Sequence, residues 1–172
     1  MTNARVQEKQ KESSLPSFIM PAVVLAGASL FAFAADQSSK YLALTHLESH
    51  SRTQFLPPLL NLFLTTNTGA AFSMGTGSPL VLILAATAAL LLLIWAIKIC
   101  RSENPDRLHL LGLGLTIGAG LGNICDRICR GEVTDFLEFA FFKFPIFNIA
   151  DVLIDLGIAL IIWRSLSRSE KK

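Results

Sequence analysis

Charge is what this chain has least of. Asp, Glu, Lys and Arg make up only 16% of its 172 residues and balance to +2. No long block of one sign forms, so the electrostatic footprint of a nucleic-acid partner is missing. Cysteine is nearly as scarce. Cys100, Cys125 and Cys129 are odd in number and match no paired zinc spacing, which argues against a disulfide framework and against a metal site. They read as apolar filler. His46, His50 and His109 are scattered, so a histidine triad or a histidine metal site is not expected. What remains is apolar: 52% of the residues are hydrophobic, and the mean hydropathy is +0.52. That is too apolar for an ordinary soluble domain, and the length suits a single membrane domain.

The apolar residues fall into runs. Residues 18–35 carry no charge and as a helix would span about 27 Å, close to the roughly 30 Å hydrocarbon thickness of a bilayer. Small residues near Ala34-Ala35 allow a cleaved signal peptide as the rival, but the run exceeds a usual signal-peptide core, and retention is expected. A second charge-free run, 79–97, starts at Ser78-Pro79 and stops at Lys98. Residues 108–124 form a third, with Gly114, Gly118 and Gly122 recurring every fourth residue along one face, a stripe that permits close helix packing in lipid. A fourth is expected over 147–163, ending on Trp163 as an interfacial anchor. Between the first two runs, residues 36–78 are mixed. Pro57-Pro58, Gly69, Gly75 and Gly77 mark turns there, and 61–66 reads as a short strand, so a small extramembrane sheet is expected.

Four spans give a polar tail at 1–17, a transmembrane domain at 18–163 and a basic tail at 164–172. Both termini and the 98–107 loop then share one side, which holds ten of the fifteen lysines and arginines. The other side keeps Lys40, Arg52, Arg127, Arg130 and Lys143, although its segments are longer. Positive residues are retained inside, so both termini are expected in the cytoplasm.

That topology gathers polar groups at the outer face: Asp36, Asn67, Asn123, Arg127, Asp135, Asn148 and Asp151. Two carboxylates in a partly apolar site share a proton, one acting as base on water while the other polarises a carbonyl. Asp135, ending an outer loop, and Asp151, starting a helix, form the best pair. Each residue also has a plainer reading. Asn148 with an acid three residues later resembles a helix capping box. Asp135 fits an exposed loop acid, Arg127 a snorkelling interfacial residue, and Asn67 before Thr68-Gly69 a turn. Asn123 and Asn148 equally fit caps or turns. Ser39 and Lys40 are adjacent on a helix and face apart, which makes a serine-lysine dyad a poor candidate.

The ordered set Asp36-Gln37-Ser38-Ser39-Lys40, Asn67-Thr68-Gly69-Ala70-Ala71-Phe72-Ser73, Gly122-Asn123-Ile124-Cys125-Asp126-Arg127, Val133-Thr134-Asp135-Phe136 and Phe147-Asn148-Ile149-Ala150-Asp151 resembles the bacterial lipoprotein signal peptidases, also called signal peptidase II. The likeness covers about 18–163. It implies that Asp135 and Asp151 are the catalytic dyad, with Asp126 outside it. It also implies that Asp36, Asn67, Asn123, Arg127 and Asn148 are supporting or substrate-binding residues. The fold implied is mainly α, with four transmembrane helices, a small β-sheet cradle and a short surface helix beside the site. The reaction implied is cleavage just before the lipid-modified cysteine of a prolipoprotein in the inner membrane, by a monomer without metal or organic cofactor.

Two features depart from the resemblance. Phe136, Phe139, Phe141, Phe142, Phe144 and Phe147 crowd the stretch between the two acids, to dip into lipid or to line the substrate groove. Asp155 lies four residues after Asp151 on the same helical face, where it would either raise the proton affinity of Asp151 by like-charge repulsion or simply bind water. Two rival readings stand beside the peptidase: a small transporter or channel-like bundle with intramembrane acids on an ion path, and a scaffold whose polar residues only cap helices.

Overall fold

The computed structural model describes residues 18–69 and 79–169. The tail at 1–17, the motif residues Ala70, Ala71, Phe72 and Ser73, the turn glycines Gly75 and Gly77, and the end of the basic tail at 170–172 lie outside them.

Helix α1 covers Ile19–His46 and runs eleven residues past the charge-free stretch that marked the first span. The extension has a physical cause. Asp36 and Lys40 sit one turn apart on the buried face and pair with each other at 2.9 Å, so the charges do not meet lipid and the helix need not stop. Helix α2 covers Pro79–Cys100, with proline at its first position where a missing N–H costs nothing. Helix α3 covers Arg107–Arg130. Asp106 caps its start by accepting from the N–H groups of Leu108 and His109, and Gly131 closes its end with a left-handed φ of 80°. Helix α4 covers Ile149–Ser169.

Helix α3 is the one around which the others pack. The Gly114, Gly118 and Gly122 stripe faces α1 so closely that a Cβ at Gly118 would strike the Ser29 backbone, and one at Gly122 the Asp36 carboxylate. On another face Gly112 meets Gly157 of α4. Ala96 and Cys100 of α2 pack with Leu110, Leu113 and Ile117 of α3 in an apolar core. Otherwise α2 is exposed almost all round: only 6% of its most apolar stretch is buried, against 61% for α3. Helices α1, α2 and α3 are each long and apolar enough to cross a membrane.

Strands β1 (Arg52–Leu56), β2 (Leu60–Asn67) and β3 (Val133–Phe139) form an antiparallel sheet in the order β1-β2-β3. The strand expected at 61–66 lies inside β2. Leu60 pairs with Phe139 and Asn67 with Val133, with a register shift between Leu62 and Thr65. The sheet is held to the helices by Ala43, Leu64, Phe136 and Leu137, packed against Leu47, Leu62, Phe147 and Ile149. The chain is therefore mostly helical with one small sheet. The short surface helix implied by the resemblance is not among the described residues.

Candidate active site

The two acids reach each other from different elements. Asp135 was expected to end a loop, but it sits inside β3, paired with Thr65 of β2, and is 3% exposed. Backbone ladder bonds on both sides fix a strand residue more tightly than a loop could. Asp151 lies in the first turn of α4. Between them stands Asn148, fully buried. Its side-chain Nδ2 donates to Asp135 Oδ1 at 2.6 Å, and its backbone N–H donates to Asp151 Oδ2 at 3.0 Å. Its Oδ1 accepts from the Asp151 N–H at 3.1 Å. The capping box is real, and it also couples the two carboxylates. The plain reading and the functional one describe the same atoms.

Three further predicted residues complete the site. Asn123 Nδ2 donates to the remaining Asp151 oxygen at 3.2 Å. Asn67 Nδ2 donates to Asp135 Oδ2 at 3.3 Å, while its Oδ1 accepts from the Gly69 N–H at 2.8 Å, so the turn expected there exists and aims the amide. Arg127 does not snorkel. Its guanidinium donates to the carbonyls of Asn123 at 3.1 Å and Gly69 at 2.6 Å, tying the segment after β2 to α3. Asp36, expected at the site, lies behind it: fully buried, it accepts from the Ala150 N–H at 3.2 Å and holds the first turn of α4.

Asp135 and Asp151 open onto a cavity of about 740 Å³, polar where Asn67, Asn123, Arg127 and Asn148 reach it and apolar along Phe139, Phe144 and Phe147. The phenylalanine stretch thus divides. Phe139, Phe144 and Phe147 line the cavity, while Phe141 and Phe142 are exposed beside them. Asp155 lines the same cavity from an exposed position one turn beyond Asp151. Burial, and then the charge of Asp151, pushes the Asp135 carboxyl up to about 6, against the pull of its bonds from Asn148 and Asn67. One of two neighbouring acids is therefore poised to keep its proton.

The sequence reading missed Lys40 and Asp126. Both are fully buried and pair at 2.9 Å. Ser39, the neighbour of Lys40, turns its hydroxyl away and donates to the Asp36 carbonyl. The missed signal was spacing: Asp36 to Lys40 and Asp126 to Arg130 are both four apart, an acid and a base on one face of otherwise apolar helices. His109 lies at the opposite end of α3 against Trp95, away from the cavity.

Proteins similar to this chain point to one family. The family model described as signal peptidase (SPase) II matches residues 28–167. A lipoprotein signal peptidase of Thermosynechococcus vestitus is 41% identical over 64% of this chain and 69% of its own length. One from Shouchella clausii is 36% identical over 84% of this chain and 95% of its own. Among solved structures, a bacterial membrane enzyme determined by the in meso method at 2.3 Å resolution superposes with a TM-score of 0.73 at 28% identity, covering 84% of this chain and 88% of that one.

Proposed function

Because this chain belongs to the signal peptidase II family of bacterial inner-membrane peptidases, which remove signal peptides from prolipoproteins, we propose that Asp135 and Asp151 are its catalytic dyad. The chain is an aspartic peptidase of that family, and the transporter alternative finds no support among its relatives. The observation that carries the assignment of the dyad is the Asn148 bridge, which joins a buried carboxylate and a half-buried one on one cavity.

Asp151 is the base. Both acids accept a hydrogen bond on each oxygen, but only Asp151 sits at a helix N-terminus, where negative charge is favoured. Asp135 holds the shared proton. Water placed between them gives a proton to Asp151 as its oxygen attacks the scissile carbonyl carbon, and Asp135 hydrogen-bonds the carbonyl oxygen that gains charge. The tetrahedral adduct then collapses. The proton on Asp151 passes to the leaving nitrogen, the C–N bond breaks, and the dyad again holds one proton. The pair titrates as a unit.

Asn67, Asn123, Arg127 and Asn148 orient the dyad, and Asp36 sets the first turn of α4. The cleaved bond is the one before the lipid-modified cysteine, and the phenylalanine wall of the cavity suits an apolar substrate. Helix α4 is the fourth span. Both termini, with the tails at 1–17 and 164–172, are cytoplasmic, and the site faces outward. One copy supplies every group named, so the working unit is a monomer.

The test is cleavage of a lipidated precursor peptide by the purified protein in lipid vesicles. Asp135→Asn and Asp151→Asn should each abolish it while the protein still inserts. Cleavage by both single variants would overturn the dyad.

A further inference from the structure

Behind the dyad lies a charged cluster that the mechanism above does not use. Lys40 is fully buried, as are Asp36 and Asp126. An ammonium can only donate, and here it hydrogen-bonds Asp36 Oδ2 at 2.9 Å, forms an ion pair with Asp126 Oδ2 at 2.9 Å and hydrogen-bonds Asn123 Oδ1 at 2.7 Å. Arg130 also approaches Asp126, at 3.5 Å, so two cations face two anions. Neutralising the carboxylates would need only the first two contacts. The third reaches toward the active site.

That third bond has a directional consequence. An ammonium can only donate, so Asn123 must turn its carbonyl oxygen to Lys40. Its Nδ2 must then point the other way, and it meets Asp151 Oδ1 at 3.2 Å. Asn148 Nδ2 donates to the same Asn123 oxygen at 3.3 Å, which agrees with this orientation. Were the amide turned over, its oxygen would face Asp151 and would be satisfied only by a protonated carboxyl. The proton would then sit on the wrong member of the pair.

We infer that Lys40 is a positioning residue for the peptidase reaction: by fixing the orientation of the Asn123 amide it keeps an N–H donor on Asp151, and so keeps Asp151 the base. The inference rests on the reading of Asp135 and Asp151 as the dyad. The charged groups around Lys40 are Asp36 on its own helix, Asp126, Arg127 and Arg130 on α3, Asp135 on β3 and Asp151 on α4. A buried cation that merely fastens α1 to α3 would act on the dyad through its charge alone, and equally whether Asn123 is present or not.

The experiment compares Lys40→Met, Asn123→Ala and the double variant, in lipid vesicles with a lipidated precursor peptide, across pH. Lys40→Met should lower kcat by roughly tenfold or more, the effect of losing one charge-assisted hydrogen bond. KM should barely change, and the acid limb should move to higher pH. On the Asn123→Ala background the same change should add little, because the amide it orients is gone. Lys40→Arg, which keeps charge and donors, should bring the acid limb back, including where Lys40→Met does not accumulate in the membrane. A wild-type pH profile in Lys40→Met overturns the inference. So do losses that multiply in the double variant, or a folded Lys40→Arg whose acid limb is displaced like that expected of Lys40→Met. If the two dyad variants cleave substrate, the dyad reading has failed. If they are inactive and Lys40→Met behaves as wild type, only the role of Lys40 has failed.

Discussion

Each end of α3 lies beside a helix start that an acid caps, and the two acids have opposite fates. At one end Asp106 caps α3 and meets Arg164 at 2.6 Å and Arg168 at 3.3 Å. Burial pushes its carboxyl up, but the Arg164 guanidinium, the His109 N–H and Arg168 outweigh burial and hold it below the usual carboxylate value. At the other end, the box that Asn148 and Asp151 form around the start of α4 brings Asp151 beside Asp135, whose carboxyl rises to about 6. Capping geometry is thus common to both ends. What separates a staple from a catalyst is the local count of charges. One acid against two arginines is locked as an anion, whereas two acids served mainly by neutral amides must share a proton.

The comparison breaks most visibly in the dyad itself. Asp135→Asn or Asp151→Asn should cut cleavage by on the order of 10³ or more, the usual weight of a positioned acid or base. Asp106→Asn should leave the rate unchanged, because asparagine still caps a helix. A steady-state cleavage assay decides both.

Next in size is the pH dependence. In the free enzyme Asp135 loses its proton as pH rises through about 6, so kcat/KM should fall by about tenfold per unit on the alkaline side. The sign for stability is the same. The folded value lies above the ordinary value of 3.8, so folding favours the protonated form and stability declines as pH rises from there through about 6. Asp135→Asn should therefore melt no lower than wild type above pH 6, and a drop would contradict the burial argument. Asp106 runs the other way: its contribution is full at neutral pH and fades as pH falls below the ordinary carboxylate range.

A smaller effect belongs to the staple. Asp106→Ala removes both cap and ion pairs and should cost about 1–2 kcal/mol of stability, seen as a lower melting temperature with cleavage retained. The smallest concerns the exposed pair of Arg52 and Glu138 on the sheet. Arg52→Ala should leave the melting temperature almost unchanged and kcat alone.

Much of this was legible before any coordinates. The charge-free runs marked α1, α2 and α3, the glycine stripe marked the seam between α1 and α3, and the 61–66 stretch marked β2. Local pattern reaches that far because lipid and close packing each impose a periodic demand. The choice of Asp135 over Asp126 rests on resemblance, not periodicity, since one closes an apolar helix and the other follows it by only a few residues. Lys40 was out of reach for a different reason. Its partners Asn123 and Asp126 are more than eighty positions away, and only the close approach permitted by Gly122 brings them together. The continuation of α1 past its charge-free run was out of reach as well, because a charge usually closes an apolar run unless a partner one turn on neutralises it.

The near-complete exposure of α2 has a mechanical consequence. A bilayer that is thicker or thinner than the helices must be met by tilt, and the helix with the fewest protein contacts tilts at least cost. Helix α2 supplies none of the site residues, whereas α1, α3 and α4 are pinned to one another by glycine contacts and buried polar bonds. A tilt of α2 in response to thickness mismatch would leave the carboxylates where they are. Cleavage rates measured across lipids of different chain length should vary less than the tilt of α2, which makes this helix a suspension for the rigid part of the enzyme.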